Sequence, residues 1–205
     1  RGAVLAEGLE AFELLALAAD RRLRAGELGR GVAVMDQVLA TAGLKRPRVP
    51  RLAFVLGLAD ELALGIAERR LRPRTRDTAP ETRALLDASF AAITGLTWAD
   101  SFTTAYFATR FARTALARGD ARDVVRALAV RCATHSAIAT PSRRRQSDLL
   151  AERAMTLAEE RAPATLPFAL VSAASAAHFT GRWERCDALL DRLELRFQRV
   201  QQREV

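Results

Sequence analysis

The chain has one lysine, Lys45, no asparagine and three isoleucines, and only 6% of its 205 residues are aromatic. Strand formers are therefore scarce, which argues against a β-sandwich or a doubly wound sheet. No apolar run reaches the 18 or so residues that a membrane span needs, so none is expected. There are two cysteines, Cys132 and Cys186, and neither has a CxxC or CxxH companion. Each falls on the inward side of an expected helix, where a free thiol behaves as a small apolar group. A reduced, cytoplasmic setting is the simple reading. The chain begins with arginine rather than methionine and carries no secretory signal, so it reads as a piece of a longer protein.

What is present points to helix. Alanine, leucine and arginine make up about half of the chain, and half of all residues are hydrophobic. These residues head the helix scale, and the length suffices for one domain with a real core. The net charge of +8 rests almost wholly on arginine. Such a balance suits an acidic partner or nucleic acid, although a GC-rich genome imposes the same Arg-for-Lys bias without any function.

Punctuation falls at regular intervals. A first helix is expected over 3–24, with Leu5, Leu9, Phe12, Leu15 and Ala19 at helical spacing, ending at Gly26. A second follows with Leu28, Val32, Met35, Val38 and Leu39 and closes at Gly43, before a basic, proline-containing loop at 45–50. A third is expected over 51–71, then a polar loop over 72–80, then helix over 81–94 with Leu85, Leu86, Phe90 and Ile93 inward. Asp100 and Ser101 open the next, which Gly119 ends; Asp120 caps 121–139, Pro141 and Ser142 open 143–161, and Pro163 precedes 164–179. After Gly181 comes 182–200, with Trp183, Cys186, Leu189, Leu190, Leu193 and Phe197 in one inward stripe. The expected architecture is all-α: one helical-repeat domain over 1–205, with looser helices over 1–71 and a better-matched region over 81–205. About nine helices of about 20 residues, joined by short turns, describe an α-solenoid of antiparallel hairpins.

Three segments align on turn glycines: AADRRLRAGELGRGVAVMDQVLA at Gly26, ARTALARGDARDVVRALAV at Gly119 and ASAAHFTGRWERCDALLDRLELRF at Gly181. Each has small residues within a first helix, a glycine that permits a left-handed turn, and apolar positions three or four apart in a second. This pattern resembles the tetratricopeptide repeat. The segments LRPRTRDTAPETRALLDASFAAITGLTWADSF, ALARGDARDVVRALAV and RRRQSDLLAERAMTLAEE, followed by AHFTGRWERCDALLDRLELRF, are similar to the C-terminal helical region of bacterial multidomain serine/threonine protein kinases of the myxobacterial type. The resemblance implies a non-catalytic interaction or regulatory module in signal transduction. Its partner would be a protein or peptide, the parent's own kinase domain among the candidates.

Motifs for chemistry are lacking. No glycine-rich nucleotide loop, VAIK lysine, HRD or DFG occurs, and the Ala79-Pro80-Glu81 triplet stands in a loop without them. His135 and His178 have no companions at ligand spacing, so no metal, cofactor or catalytic residue is expected. Basic clusters occur at 21–24, 69–76 and 143–145, but the aromatics are not interleaved with them as base-stacking platforms would be. If the Gly119 and Gly181 turns join first to second helices, Tyr106, Thr109, Arg113, Ser175 and His178 face a concave partner-binding groove. A transcription regulator's helical sensor domain, with a basic face toward nucleic acid, is the alternative; an enzyme with a hidden pocket is a third.

Overall fold

The computed structural model describes residues 2–47, 49, 64, 78–97, 99–137 and 140–201. Among them there are eight α-helices and no strand: α1 (Gly2–Arg24), α2 (Leu28–Thr41), α3 (Pro80–Leu96), α4 (Ser101–Arg118), α5 (Ala121–Ser136), α6 (Pro141–Arg161), α7 (Leu166–Phe179) and α8 (Trp183–Gln201). A 3₁₀ turn, Pro163–Thr165, precedes α7. The all-α expectation holds. The helix expected over 51–71, apart from Leu64, lies outside the described residues, as do the basic cluster at 69–76 and most of the 72–80 loop.

The ends of the helices follow from local chemistry. Gly26 and Gly181 have φ of +80° and +72°, a region that costs an L side chain energy and glycine almost nothing. At each, two backbone bonds close the preceding helix: Gly26 N–H to the Leu23 carbonyl and Glu27 N–H to Arg22, and likewise Gly181 to His178 and Arg182 to Ala177. This doubly bonded C-terminal cap satisfies carbonyls that a helix end leaves orphaned. Gly119 also ends its helix, but it is not among the positive-φ glycines, so the left-handed turn expected there is absent. At the starts, the Asp100 carboxylate accepts from the Thr103 amide (3.0 Å) and hydroxyl (2.6 Å), and Asp120 accepts from the Asp123 amide (3.0 Å). Thr140, with Pro141 behind it, caps α6, one residue ahead of the expected opening.

The chain packs as two compact units, α1–α4 and α5–α8, with the boundary at Gly119. In the first unit α1 packs on α2, α3 on α4, and α3 also meets α1 and α2. Its core includes Leu23, Met35, Leu39, Leu86, Leu96, Phe107 and Phe111, with Phe90 stacked obliquely on Phe111 at 5.5 Å between centroids. Leu28, expected inward, stands 46% exposed at the first position of α2. A Cβ added at Gly31 would lie 2.6 Å from the Leu23 Cγ and 3.0 Å from its backbone nitrogen. At Gly95 the clash would be with the Met35 Cε, also at 2.6 Å.

In the second unit α7 packs on α5, α6 and α8, and α5 packs on α6. The contact surfaces are small-residue surfaces: Ala173, Ala174, Ala176 and Ala177 of α7 and Ala151, Ala154 and Ala158 of α6 are all buried. Alanine loses no side-chain entropy on burial and lets helices approach closely. Long polar side chains of α8 and of Arg182 just before it then reach α6 and the 3₁₀ turn that follows α6. Arg182 binds Asp148 (2.7 Å), Arg185 binds Glu152 (2.7 Å), Arg192 binds Glu159, and Arg196 donates to the Pro163 carbonyl (2.8 Å). Every partner pair is 33 or 34 residues apart, so α6 and α8 run in the same direction along this edge. These pairs are partly exposed, and such pairs contribute about 0–1 kcal/mol each, so their main effect is on register.

The two glycines predict different outcomes. Gly31→Ala should destabilise the first unit by roughly 1–2 kcal/mol in urea unfolding, because the Leu23 backbone cannot withdraw and overpacking outweighs the helix-propensity gain. Gly95→Ala should be close to neutral, since the end of the Met35 side chain can swing aside.

Candidate functional site

The five residues expected to line a groove fall in two units. Tyr106, Thr109 and Arg113 lie on α4, in the first; Ser175 and His178 lie on α7, in the second. Tyr106 is buried, 8% exposed, with its ring edge-on to Phe107 and its hydroxyl accepting from Arg110 at 3.1 Å. The Thr109 hydroxyl donates back to the Tyr106 carbonyl (3.0 Å), and Arg113 is exposed. Tyr106 therefore packs inward, because Phe107, Ala108 and Phe111 turn that side of α4 toward the core.

Ser175 and His178 do come together, in a cavity of about 230 Å³ between α7 and α8. Val171, Ala174, Ser175 and His178 follow one another at helical spacing on α7, Phe179 ends that wall, and Cys186 and Leu190 of α8 form the other. The His178 ring stands edge-on to Trp183 at 4.8 Å and to Phe179 at 5.8 Å. These aromatic pairs prefer an edge-to-face arrangement and hold the rim together. Phe179 is 69% exposed, Trp183 57% and Leu190 44%.

This corrects the expected inward stripe of the last helix. Cys186 and Leu189 are buried against α7, whereas Trp183, Leu190 and Phe197 stand out. Arg185 and Arg192 of α8 reach toward α6 on one side, and α7 covers only part of the apolar arc, so the remainder borders the cavity or continues beyond it. Val171 and Phe179 were missed by sequence reasoning. Their helix, LPFALVSAASAAHF, holds no Asp, Glu, Lys or Arg to mark an outer face, so nothing in its pattern separates a buried side from an open one.

The arrangement is suited to holding apolar surface. Its polar complement is one serine hydroxyl, one imidazole and one thiol, and no group of three or more His, Cys, Asp or Glu able to hold a metal occurs among the described residues. His135 has a structural setting in α5: it is 2% exposed, with Arg131 Nη2 at 3.1 Å from Nε2 and Arg143 Nη1 at 2.9 Å from Nδ1. A neutral imidazole accepts at one nitrogen only, so the ring accepts from one of these two guanidiniums and not from both.

Cys132 is buried on α5, where the Ser147 hydroxyl donates to its backbone carbonyl at 2.9 Å and lies 3.4 Å from Sγ. Burial, partly opposed by the Ser147 hydrogen bond, holds its thiol pKa above the usual value. The sign follows directly. Above about pH 8.5 the unfolded chain ionises this thiol while the folded chain keeps its proton, so stability declines as pH rises through that range. Iodoacetamide at about pH 8 should therefore alkylate Cys132 at least ~100-fold more slowly in the native protein than in urea, as read by peptide mass spectrometry.

No family model, curated protein or solved structure matches the chain.

Proposed function

We propose that this chain is a non-catalytic protein–protein interaction module, built as a tetratricopeptide-like α-solenoid of antiparallel hairpins. On the resemblance of its repeat segments, it would belong to the regulatory region of a bacterial serine/threonine kinase and act in signal transduction in the cytoplasm. The observation that carries the recognition role is the open α7–α8 cavity, whose rim leaves Phe179, Trp183 and Leu190 largely in solvent. Large exposed apolar side chains grouped around a concavity mark a place where another surface docks. The parallel course of α6 and α8, with α7 packed on both α6 and α8, supports the solenoid reading, because a chain that rises, returns and rises again stacks its helices side by side. The rigid small-residue packing beneath the rim would present that surface with little ordering cost on binding.

The test is selection from a library of random peptides displayed on phage, using the whole chain as bait. Binders should share apolar anchors and be lost on Leu190→Glu, a substitution at a 44%-exposed position that should leave the circular dichroism spectrum unchanged. Their affinity should vary little with salt. Binding to random duplex DNA with a steep fall in affinity as salt rises, unaffected by Leu190→Glu, would replace this reading with the nucleic-acid one.

A further inference from the structure

Along α8, Trp183, Cys186, Leu190, Leu193 and Phe197 follow the alternating three- and four-residue spacing of a helix-packing seam. Cys186 is buried, while Trp183, Leu190 and Phe197 are more than two-fifths exposed, so the seam is only half covered. The charges of α8 divide to either side of it. Arg185, Arg192 and Arg196 lie on the flank toward α6 and are engaged there by Glu152, Glu159 and the Pro163 carbonyl. On the opposite flank Glu184, Asp187, Asp191 and Glu194 are all exposed. Among the described residues none of these four carboxylates has an ionic partner, and Glu194 accepts only from the Gln198 amide at 3.2 Å. The α7 wall adds no arginine or lysine. A chain of net charge +8 thus borders its exposed apolar seam with acid.

We propose that the α7–α8 groove takes an amphipathic helix whose apolar side lies along the seam and whose edge carries lysine or arginine. This rests on the recognition role above and specifies its partner. The seam spacing favours a helix over an extended strand, because side chains three and four apart on α8 form holes that receive knobs of the same periodicity. The acidic flank occupies positions beside the seam, where opposite charges set partner choice between packed helices. A second copy of the same face would set its own carboxylate row against this one, which disfavours self-pairing. Nucleic acid is repelled by the same row.

The test uses the whole chain and two synthetic helical peptides with the same leucine seam, one edged with Lys and Arg and the other with Glu, followed by fluorescence anisotropy. The basic peptide should bind ~10-fold or more tightly than the acidic one. The double variant Asp187→Lys/Asp191→Lys, exposed at both positions and checked by circular dichroism, should reverse that order. Leu190→Glu should abolish binding of both. Equal binding of the two peptides, with no response to the charge swap, would overturn the basic partner and leave the recognition role standing. Binding of neither peptide would also overturn it; the recognition role falls with it only if the random library yields no groove-dependent binder. A dimer in sedimentation velocity that Leu190→Glu dissociates would assign the seam to a second copy and overturn the proposal.

Discussion

The constraint on which each unit depends is close approach between helices that carry little bulk. With aromatics at 6% of the chain and alanine the most frequent residue, few large side chains are available to span a wide gap. The helices come near enough for small residues to meet: Gly31 receives Leu23, Gly95 receives Met35, and α7 buries five alanines, Ala169 among them. A packed interior has the density of an organic crystal, so such contacts tolerate no added methyl where the opposing atom is backbone. Phe107 and Phe111 are the large exceptions, both fully buried on one face of α4. That face commits neighbouring Tyr106 to the interior as well.

Charge is partitioned by the same packing. Arg185 and Arg192 of α8 have partners on α6, and Arg143 of α6 is held at a His135 ring nitrogen. Much of the positive charge in this unit is thereby tied into contacts, while Glu184, Asp187, Asp191 and Glu194, without ionic partners among the described residues, border the apolar seam of α8. A net charge describes long-range association and solubility, not the character of one surface. Locally, the groove has the opposite sign to the whole chain.

Legibility in the sequence followed locality. Helix ends were readable wherever a single residue decides them: Asp100 and Asp120 supply side-chain caps, and Gly26 and Gly181 adopt φ values that other residues avoid. Gly119 spells the same signal but serves a different place, the boundary between two units, because glycine permits a left-handed turn without requiring one. Of the five residues expected to share one surface, two meet in a single cavity. Ser175 and His178 share a helix face by spacing alone and do line the cavity, but Tyr106, placed by the same argument on α4, turns inward.

Composition and punctuation by themselves determined that this chain is helical and where most of its helices begin and end, since both depend on interactions within a few residues. The apolar periodicity of α8 was likewise written in the sequence. Which part of that stripe is covered was decided only by tertiary packing. Periodicity marks a face as apolar but not what lies opposite it, and here α7 covers Cys186 and Leu189 while Trp183, Leu190 and Phe197 remain in solvent. The pairing of Arg182, Arg185, Arg192 and Arg196 with residues 33 or 34 positions earlier was decided the same way, because only the stacked helices bring those groups within reach.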